Sequence, residues 1–178
     1  MNYSECIENA RTRIGNYCKA CPECNGRACK NQMPGPGAKG IGDTAIRNYD
    51  KWKEIRVQMD TIAENKPVDT SLELFGKKFL YPFFAGPVGA VGLHYGDCLD
   101  DVRYNDILVS ACAKYGIAAF TGDGLDSNVM VAATKAIGKT DGIGIPTVKP
   151  WNIDTVAEKM KMVQESKAFA VAMDVDAA

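Results

Sequence analysis

Short apolar segments return at near-regular intervals through the second half of the chain, and this periodicity restricts the fold more than any other feature. The first segment, Leu80 to Ala85, carries no charge and is followed at once by the small residues Gly86 to Gly89. Three more apolar segments follow at 117–121, 142–148 and 168–173. A short apolar run bounded by Gly, Asp, Lys or Pro predicts a strand that is buried on both faces.

The intervals between these segments have the pattern of helices, which we place at 100–115, at 127–137 with Asp126 or Ser127 as its cap, and onward from a cap at Asn152. The first of these helices is expected to carry an apolar stripe, with Cys112 in the core, made of Ile107, Leu108, Ala111, Cys112 and Tyr115. Strand, helix and strand at this spacing predict parallel strands joined by right-handed crossovers. Polar residues at the carboxyl ends of apolar strands fit a (β/α) barrel. We therefore expect an α/β fold that contains the first four parallel strands of a (β/α)8, or TIM, barrel. A doubly wound open sheet is the alternative, although no G-x-G-x-x-G motif follows the first strand.

The residues before the first strand predict smaller elements. A helix is expected at 4–15 with Ser4 as its cap, and a hairpin at 71–79 that turns at Gly76. A longer helix is expected at 43–63, with an apolar face formed by Ile46, Tyr49, Trp52, Ile55, Met59 and Ile62. The chain is thus expected to have three parts, which are a helical, Cys-rich segment with a Gly/Pro connector at 1–42, a helix and hairpin lead-in at 43–78, and a half barrel at 79–178.

The number of residues falls short of a whole barrel. A complete eight-unit barrel needs about 250 residues, whereas this chain has 178 and no covering helix after its fourth predicted strand. We expect the chain to be the N-terminal half of a larger barrel, one that pairs with a C-terminal half. The alternative is a complete small α/β domain that forms a homo-oligomer along a sheet edge.

Composition excludes several classes of function. The formal net charge of -1 gives no basic surface for nucleic acid. No apolar run approaches the roughly 20 residues that span a bilayer, and the N-terminus lacks the apolar centre of a secretory signal. We therefore expect a cytoplasmic protein with neither a membrane nor a nucleic-acid partner. Its seven cysteines are then not expected to form a disulfide framework, because the cytosol keeps thiols reduced.

Four cysteines near the N-terminus have the spacing C-x2-C-x2-C-x4-C, and they are Cys18, Cys21, Cys24 and Cys29. Two Cys-x2-Cys steps bring thiolates close enough to ligate one metal, and four thiolates satisfy zinc or an iron–sulfur cluster. The first three match the opening spacing of bacterial ferredoxins, but the fourth comes one residue late and lacks the following proline. Zinc, an iron–sulfur cluster and four reduced surface thiols all remain open.

The segment from Asn48 to Ala178 resembles the FMN-dependent α-hydroxy-acid oxidase and dehydrogenase family, which includes glycolate and lactate oxidases. The likeness rests on Asp69 to Gly76 followed by Tyr81-Pro82, on Ala85 to Ala90, and on Met173-Asp-Val-Asp176. Within the family, the chain is most similar to an anaerobe-type branch that carries an N-terminal Cys-rich segment.

The resemblance implies an oxidoreductase that holds FMN on its barrel and takes a hydride from the α-carbon of a 2-hydroxy acid. The main chain from Ala85 to Gly89 would line the flavin ring. Thr121 stands where the family has a serine that touches FMN, and Asp174 stands near a threonine that does the same. The flavin contacts implied in this way are Ala85, Gly86, Pro87, Val88, Gly89, Thr121 and Asp174.

The chain departs from the family at the substrate pocket. Ile145, Pro146 and Thr147 stand where the family has a Gln and a catalytic Tyr, and Asp123 lies near the position of an active-site Trp. The family's flavin-facing Lys, general-base His, substrate-clamping Arg and phosphate site come from later strands, so no catalytic residue is assigned here. We expect residues 1–178 alone to hold FMN only at micromolar strength or weaker, and so neither to retain it through purification nor to oxidise a 2-hydroxy acid. The alternative function is a non-catalytic metal- or iron–sulfur-binding module that pairs with another chain.

A few polar residues keep two interpretations each. His94 is either a general base or a partly packed loop residue, with the second favoured. Asp123 either binds a ligand or forms a local helix cap or ion pair. The same two interpretations apply to Asp174, for which a flavin contact is slightly favoured. Lys149 faces either an anionic ligand or solvent.

Overall fold

The computed structural model of the chain describes residues 1–29 and 43–175. Within these residues the helices and strands follow one another in the order α1 (Tyr3–Arg13), α2 (Thr44–Trp52), β1 (Leu72–Leu74), β2 (Lys77–Phe79), α3 (Val91–Tyr95), α4 (Asp101–Lys114), α5 (Ser127–Lys139), β3 (Thr147–Val148), α6 (Ile153–Glu165) and β4 (Ala172–Met173).

The chain divides into two compact units. Unit 1 comprises Met1–Pro67 and Gly92–Cys98, and unit 2 comprises Val68–Val91 and Leu99–Ala178. The division into three parts at residues 42 and 78 stays a prediction of the sequence. The connector predicted at 31–42 lies outside the described residues.

Helix α1 of unit 1 begins earlier than expected. The Asn2 side chain accepts a hydrogen bond from the Glu5 backbone N–H at 2.9 Å, and the Glu5 carboxylate accepts one from the Asn2 N–H, also at 2.9 Å. This reciprocal pair is a capping box. The prediction that Ser4 caps the helix is therefore wrong, because Asn2 already satisfies the first free amide groups.

Helix α2 is less than half as long as predicted. It ends at Trp52, whereas the apolar spacing predicted a helix to residue 63. Ile55, Met59 and Ile62 are 65%, 84% and 99% exposed, so the part of the predicted apolar face beyond Trp52 is not packed against any described residue. Without such packing a helix depends on intrinsic propensity, which is lower for the β-branched residues that follow Lys53.

The hairpin of unit 2 is confirmed. Strands β1 and β2 pair antiparallel, with Leu72 opposite Phe79 and Leu74 opposite Lys77. Phe75 and Gly76 form the two-residue turn and have φ values of 49° and 75°. Positive φ at both turn positions is what a type I′ hairpin turn requires, and it suits the twist of the flanking strands.

Parallel contacts link the four predicted strand segments in chain order. Ala85 bridges Ala119, Phe120 bridges Ile145, and β3 pairs with β4. Only the β3–β4 pair is longer than a single bridge, so the described sheets are small and four continuous parallel strands are not formed. The mixture of helices and parallel strand segments agrees with the predicted α/β class, and the barrel remains a prediction.

The first predicted strand is the weakest of the four. Leu80, Tyr81 and Phe83 are 56%, 42% and 60% exposed, so the prediction that 80–85 is buried on both faces is wrong. Pro82 offers no N–H to a neighbouring strand. Pairing in the sheet begins only at Ala85.

The core of unit 2 lies where α4 and α5 cover the strand segments. Its buried members are Val109, Cys112, Ala119, Ala136 and Ile137. Cys112 is a core residue as predicted, but the predicted stripe on α4 is displaced, since Ile107 and Tyr115 are exposed. Of the two caps predicted for α5, Asp126 is the one that forms, since its carboxylate accepts from the Asn128 N–H, and the predicted cap at Asn152 is confirmed by the hydrogen bond that it accepts from the Thr155 N–H.

Candidate functional site

Polar and small residues follow the carboxyl ends of the four parallel segments. These residues are 86–89, 121–124, 149 and 174, and we call them the rim. Because neighbouring segments are parallel, their carboxyl ends meet at one edge of the structure. In parallel α/β proteins this edge is where ligands bind.

The first part of the rim is a loop of small residues. The Ala85 N–H donates to Ala118 O at 3.1 Å, and Ala85 O accepts from the Phe120 N–H at 2.9 Å, so the main chain of Ala85 is occupied within the sheet. Ala85 can therefore offer a flavin only van der Waals contact. A side chain added at Gly86 would meet no heavy atom within 4 Å. Pro87 is exposed, while Val88 and Gly89 are half-buried.

A glycine that the sequence analysis did not single out holds this loop in place. A Cβ at Gly122 would collide with the carbonyl group of Val88 and lie 3.0 Å from the Gly89 Cα atom. Glycine at this position therefore allows the first rim loop to pack on the end of the second strand segment. The only signal in the sequence was the run Thr121-Gly-Asp-Gly124.

Two buried threonine hydroxyls lie near the rim without a hydrogen-bond partner among the described residues. They belong to Thr121 and Thr147, which are both buried. The Thr121 backbone N–H donates to Ile145 O at 3.1 Å, so its main chain is paired while its hydroxyl is not. An unpaired buried polar group costs about 1–3 kcal/mol, and a polar ligand that reached these hydroxyls would remove that cost.

Asp123 has a different environment, because its carboxylate is already fully used within the protein. One oxygen accepts from the Lys149 backbone N–H at 2.8 Å and from the Trp151 indole N–H at 2.7 Å. The other oxygen accepts from the Gly124 N–H at 2.9 Å and from the Lys159 ammonium group. The side chains of Lys159 and Asp123 are 7% and 0% exposed.

These contacts determine the charge of Asp123. Burial alone would raise its pKa, but the hydrogen bonds from Lys159, Lys149 and Trp151 and the positive charge of Lys159 together lower the pKa. Asp123 is therefore an ionised carboxylate that joins the second strand end to the loop after β3 and to α6. Of its two predicted roles, the intramolecular one is the role that the structure supports.

Lys149 and Asp174 form an ion pair on the rim, with 3.2 Å between Nζ and Oδ2. Their side chains are 31% and 26% exposed, and both have further interactions. Thr147 pairs with Ala172 in register, and the Asp174 N–H extends this ladder to Val148 O at 3.0 Å. Because side chains alternate along a strand, Thr147, Lys149 and Asp174 share one face of the β3–β4 pair.

His94 lies in helix α3 and belongs to unit 1. Its ring is half-buried and meets the Tyr95 ring edge-on, with 6.1 Å between centroids. This partly packed environment agrees with the favoured interpretation, although the residue lies in a helix rather than a loop. A role as general base has no support among the contacts of the described residues of unit 1.

The four spaced cysteines also lie in unit 1, and no disulfide joins any of the chain's seven cysteines. Burial raises the pKa of the Cys29 thiol, and negative charge on Cys24, Cys18 and Cys21 raises it further, against a lowering by a backbone hydrogen bond. Cys24, Cys18 and Cys21 therefore each lie within electrostatic reach of Cys29. Across residues 1–29 and 43–175, however, no group of three or more His, Cys, Asp or Glu side chains is arranged to hold a metal ion.

Membrane insertion has no structural support in the described ranges. None of their helices combines the length and the apolar character that crossing a bilayer requires.

Parallel strand segments in chain order, helices between them and a polar rim define an α/β protein of the kind that binds ligands at its strand ends. A family model described as FMN-dependent dehydrogenase matches residues 35–178, which is well over half of the chain. The protein therefore belongs to the FMN-dependent dehydrogenase family, as the resemblance indicated. No curated protein matches its sequence.

The rim fits the cofactor of this family. An FMN ring system is flat and carries polar atoms along its edges, so it needs a small-residue surface beside hydrogen-bonding groups. The open position at Gly86 supplies such a surface, and the unpaired hydroxyls of Thr121 and Thr147 supply such groups. Thr147 was not among the predicted flavin contacts, because sequence reasoning placed it only at the altered substrate pocket.

Proposed function

We propose that this protein contributes the flavin-facing rim of an FMN-dependent oxidoreductase that acts on a 2-hydroxy acid. The proposal rests on family membership together with one observation, the two buried and unpaired hydroxyls of Thr121 and Thr147 near an open loop of small residues. When bound, FMN supplies the acceptor for the hydride that leaves the α-carbon of the substrate. The substrate hydroxyl would give its proton to a general base, which the resemblance places on later strands of the barrel, and a 2-keto acid would result.

The rim residues would divide the work of holding the cofactor. The loop from Ala85 to Gly89 would lie against the flat face of the ring, since Gly86 leaves room for close approach. The hydroxyls of Thr121 and Thr147 would hydrogen-bond to polar atoms of the cofactor, each contributing about 0.5–1.5 kcal/mol. Asp174 would accept a hydrogen bond from a cofactor hydroxyl.

The ion pair on the rim would set the local electrostatics. Lys149 and Asp174 lie on the same face as Thr147, so one positive and one negative group border the proposed site. We propose that Lys149 faces the anionic part of the ligand while Asp174 keeps it oriented. Asp123 is excluded from this role, because both of its oxygens are already occupied by protein donors.

FMN titration of the 178-residue chain tests the proposal, with quenching of flavin fluorescence as the readout. Thr121→Val and Thr147→Val remove the unpaired hydroxyls with little change of shape. We expect each to weaken FMN binding by about threefold to tenfold, because one hydrogen bond is lost. Thr134→Val is the matched control, since the Thr134 hydroxyl is buried in α5 and donates to Met130 O at 2.8 Å. Equal affinity in all four proteins, or no quenching by wild type, would contradict the proposed site.

A second candidate function concerns the Cys-rich segment, and we propose that it binds zinc or an iron–sulfur cluster. The feature that favours it is the C-x2-C-x2-C-x4-C spacing, which places four thiols within residues 18–29. Metal analysis of the purified chain tests it, and the absence of both zinc and iron would contradict it. Ligand side chains commonly assemble only when the metal binds, because a preformed site rarely exists without it.

A further inference from the structure

The main chain of Lys149, just after β3, is fixed on both sides of the residue. The Lys149 N–H donates to the Asp123 carboxylate at 2.8 Å, and the Lys149 carbonyl accepts from the Trp151 N–H, also at 2.8 Å. One residue earlier, the Val148 carbonyl accepts from the Asp174 N–H at 3.0 Å. The direction in which the Lys149 side chain leaves the backbone is therefore set by hydrogen bonds.

Three side chains of unit 2 hold this part of the loop, and we call them the anchor. They are Asp123, Trp151 and Lys159. The Trp151 indole N–H donates to Asp123 at 2.7 Å, and the Lys159 ammonium donates to the same carboxylate. The Lys159 ammonium also lies 5.1 Å from the centroid of the Trp151 ring, within the range of a cation–π contact. Each member of the anchor thus contacts both of the others.

Stability alone does not account for a buried ion pair at this position. Replacing such a pair by apolar side chains of similar size is often neutral or stabilising, and both Asp123 and Lys159 are buried. An apolar pair would fill the same space, but it would offer no acceptor to the Lys149 and Trp151 N–H groups. The carboxylate has acceptor sites for these donors, and Lys159 supplies the opposite charge that a buried carboxylate needs. The anchor therefore supplies direction as well as packing.

The outer end of Lys149 lies at the rim. Its ammonium is 3.2 Å from Asp174 Oδ2, and both side chains are only partly buried. Lys149 shares this face of the β3–β4 pair with Thr147. An ion pair that is open to water is weak by itself, because holding a long lysine side chain in one geometry costs conformational entropy. A fixed main chain limits the positions that the ammonium can reach, so less entropy is lost when the ammonium makes a contact.

We propose that Asp123, Trp151 and Lys159 are positioning residues, which fix the main chain of Lys149 so that its ammonium stays at the rim and meets the anionic part of the ligand. The inference rests on the proposed function, in which Lys149 makes that contact. It adds three residues that act on the ligand through Lys149 without touching the ligand themselves. The essential contact is the hydrogen bond from the Lys149 N–H to the side chain at position 123, so an acceptor oxygen there is expected to suffice even without a charge.

Two double variants separate this hydrogen bond from the buried charges. The first combines Asp123→Asn with Lys159→Met, and the second combines Asp123→Leu with Lys159→Met. Both lack the ion pair, but Asn keeps one acceptor oxygen for the Lys149 N–H, whereas Leu has none. Carbon relaxation NMR of the lysine Cε groups in the 178-residue chain measures how far each lysine side chain is restricted.

The wild-type chain gives the reference for this measurement. We expect a higher Cε order parameter for Lys149 than for Lys139, whose ion pair with Asp106 lies on an exposed surface. The first double variant is expected to keep the Lys149 order parameter. The second is expected to lower it to the level of Lys139, because the Lys149 main chain has lost its acceptor.

FMN titration with fluorescence quenching extends the test to the ligand. Lys149→Met is expected to weaken FMN binding about tenfold, since a charge-assisted contact is lost. The second double variant is expected to weaken binding to a similar extent, and the first to bind FMN within about threefold of wild type. Adding Lys149→Met to the second double variant is expected to cause no further loss, because residues that act through one another are not additive.

The outcomes separate the inference from the proposed function. Equal order parameters for Lys149 and Lys139 in wild type overturn the inference, even if the second double variant does not fold. The same Lys149 order parameter in both double variants overturns it too, as do additive losses of FMN affinity. If Lys149 responds as expected but wild type does not bind FMN, the proposed function fails while the positioning of Lys149 by the anchor stands.

Discussion

The Asp123–Lys159 pair makes the sharpest prediction about stability. Asp123→Asn keeps the size of the side chain but removes its charge, so the buried Lys159 ammonium loses its partner. Breaking a buried ion pair from one side costs about 3–5 kcal/mol. Asp123 also accepts from the Lys149, Trp151 and Gly124 N–H groups. Since Asn offers one acceptor oxygen in place of two, we place the loss of unfolding free energy in this range.

Fluorescence of Trp151 provides the assay, because its indole N–H is bonded to Asp123. The exposed Trp52 is changed to Phe in every protein, which leaves Trp151 as the single reporter of unit 2. Urea unfolding then gives the free energy directly. At about 2–4 °C per kcal/mol, the expected loss also lowers the melting temperature by roughly 6–20 °C.

Asp106→Asn is the matched control for this prediction. Asp106 pairs with Lys139 at 3.2 Å, but the two side chains are 51% and 57% exposed. Exposed pairs contribute about 0–1 kcal/mol, so the control should unfold almost like wild type. If Asp123→Asn costs no more than Asp106→Asn, the buried network does not stabilise the rim in the way described.

The effect of Asp123→Asn should depend on pH in a defined direction. A carboxylate with a lowered pKa in the folded state stabilises the protein at every pH above its unfolded pKa, about 3.9 for Asp. This contribution is lost as the pH falls through the folded pKa. The gap between wild type and variant should therefore be constant from neutral pH to about 4 and shrink below it.

Two further substitutions test the packing of unit 2. Gly122→Ala places a Cβ against the Val88 carbonyl and should lower the free energy of unfolding by about 1–3 kcal/mol. Gly124→Ala is the control, because nothing lies within 4 Å of its Cβ position, and it should lower that free energy by less than about 1 kcal/mol. Equal losses in the two variants would contradict the close approach of Val88 to Gly122. Asn105 is fully buried on α4, and neither its side-chain nitrogen nor its side-chain oxygen has a hydrogen-bond partner in the described part of the chain. Asn105→Leu should therefore raise the free energy of unfolding by about 1–3 kcal/mol. A decrease of that size would instead show that the amide is hydrogen-bonded.

Local signals in the sequence predicted much of unit 2. The hairpin follows from the turn preference of Gly76, and the starts of α5 and α6 follow from the capping preferences of Asp126 and Asn152. The parallel order of the strand segments follows from their spacing. These features depend on residues that are close together in the chain, so they can be predicted from one sequence without knowledge of the fold.

Features that depend on contacts between distant parts of the chain could not be predicted from the sequence. The spacing of Ile55, Met59 and Ile62 predicted a helical face, but spacing does not state whether another surface covers that face. The role of Asp123 depends on Lys159, which lies 36 residues further on. The need for a glycine at Gly122 depends on the close approach of the Val88 carbonyl. Each of these required the folded arrangement of two segments.

The central claim is that FMN binds at the rim, and backbone amide NMR of the 178-residue chain titrated with FMN tests it most directly. We predict chemical-shift changes concentrated at Gly86, Gly89, Thr121, Thr147 and Asp174, with little change along α5 and α6. Changes that cluster on the outer surface of α5 and α6, or no change at concentrations that saturate a micromolar site, would contradict the account.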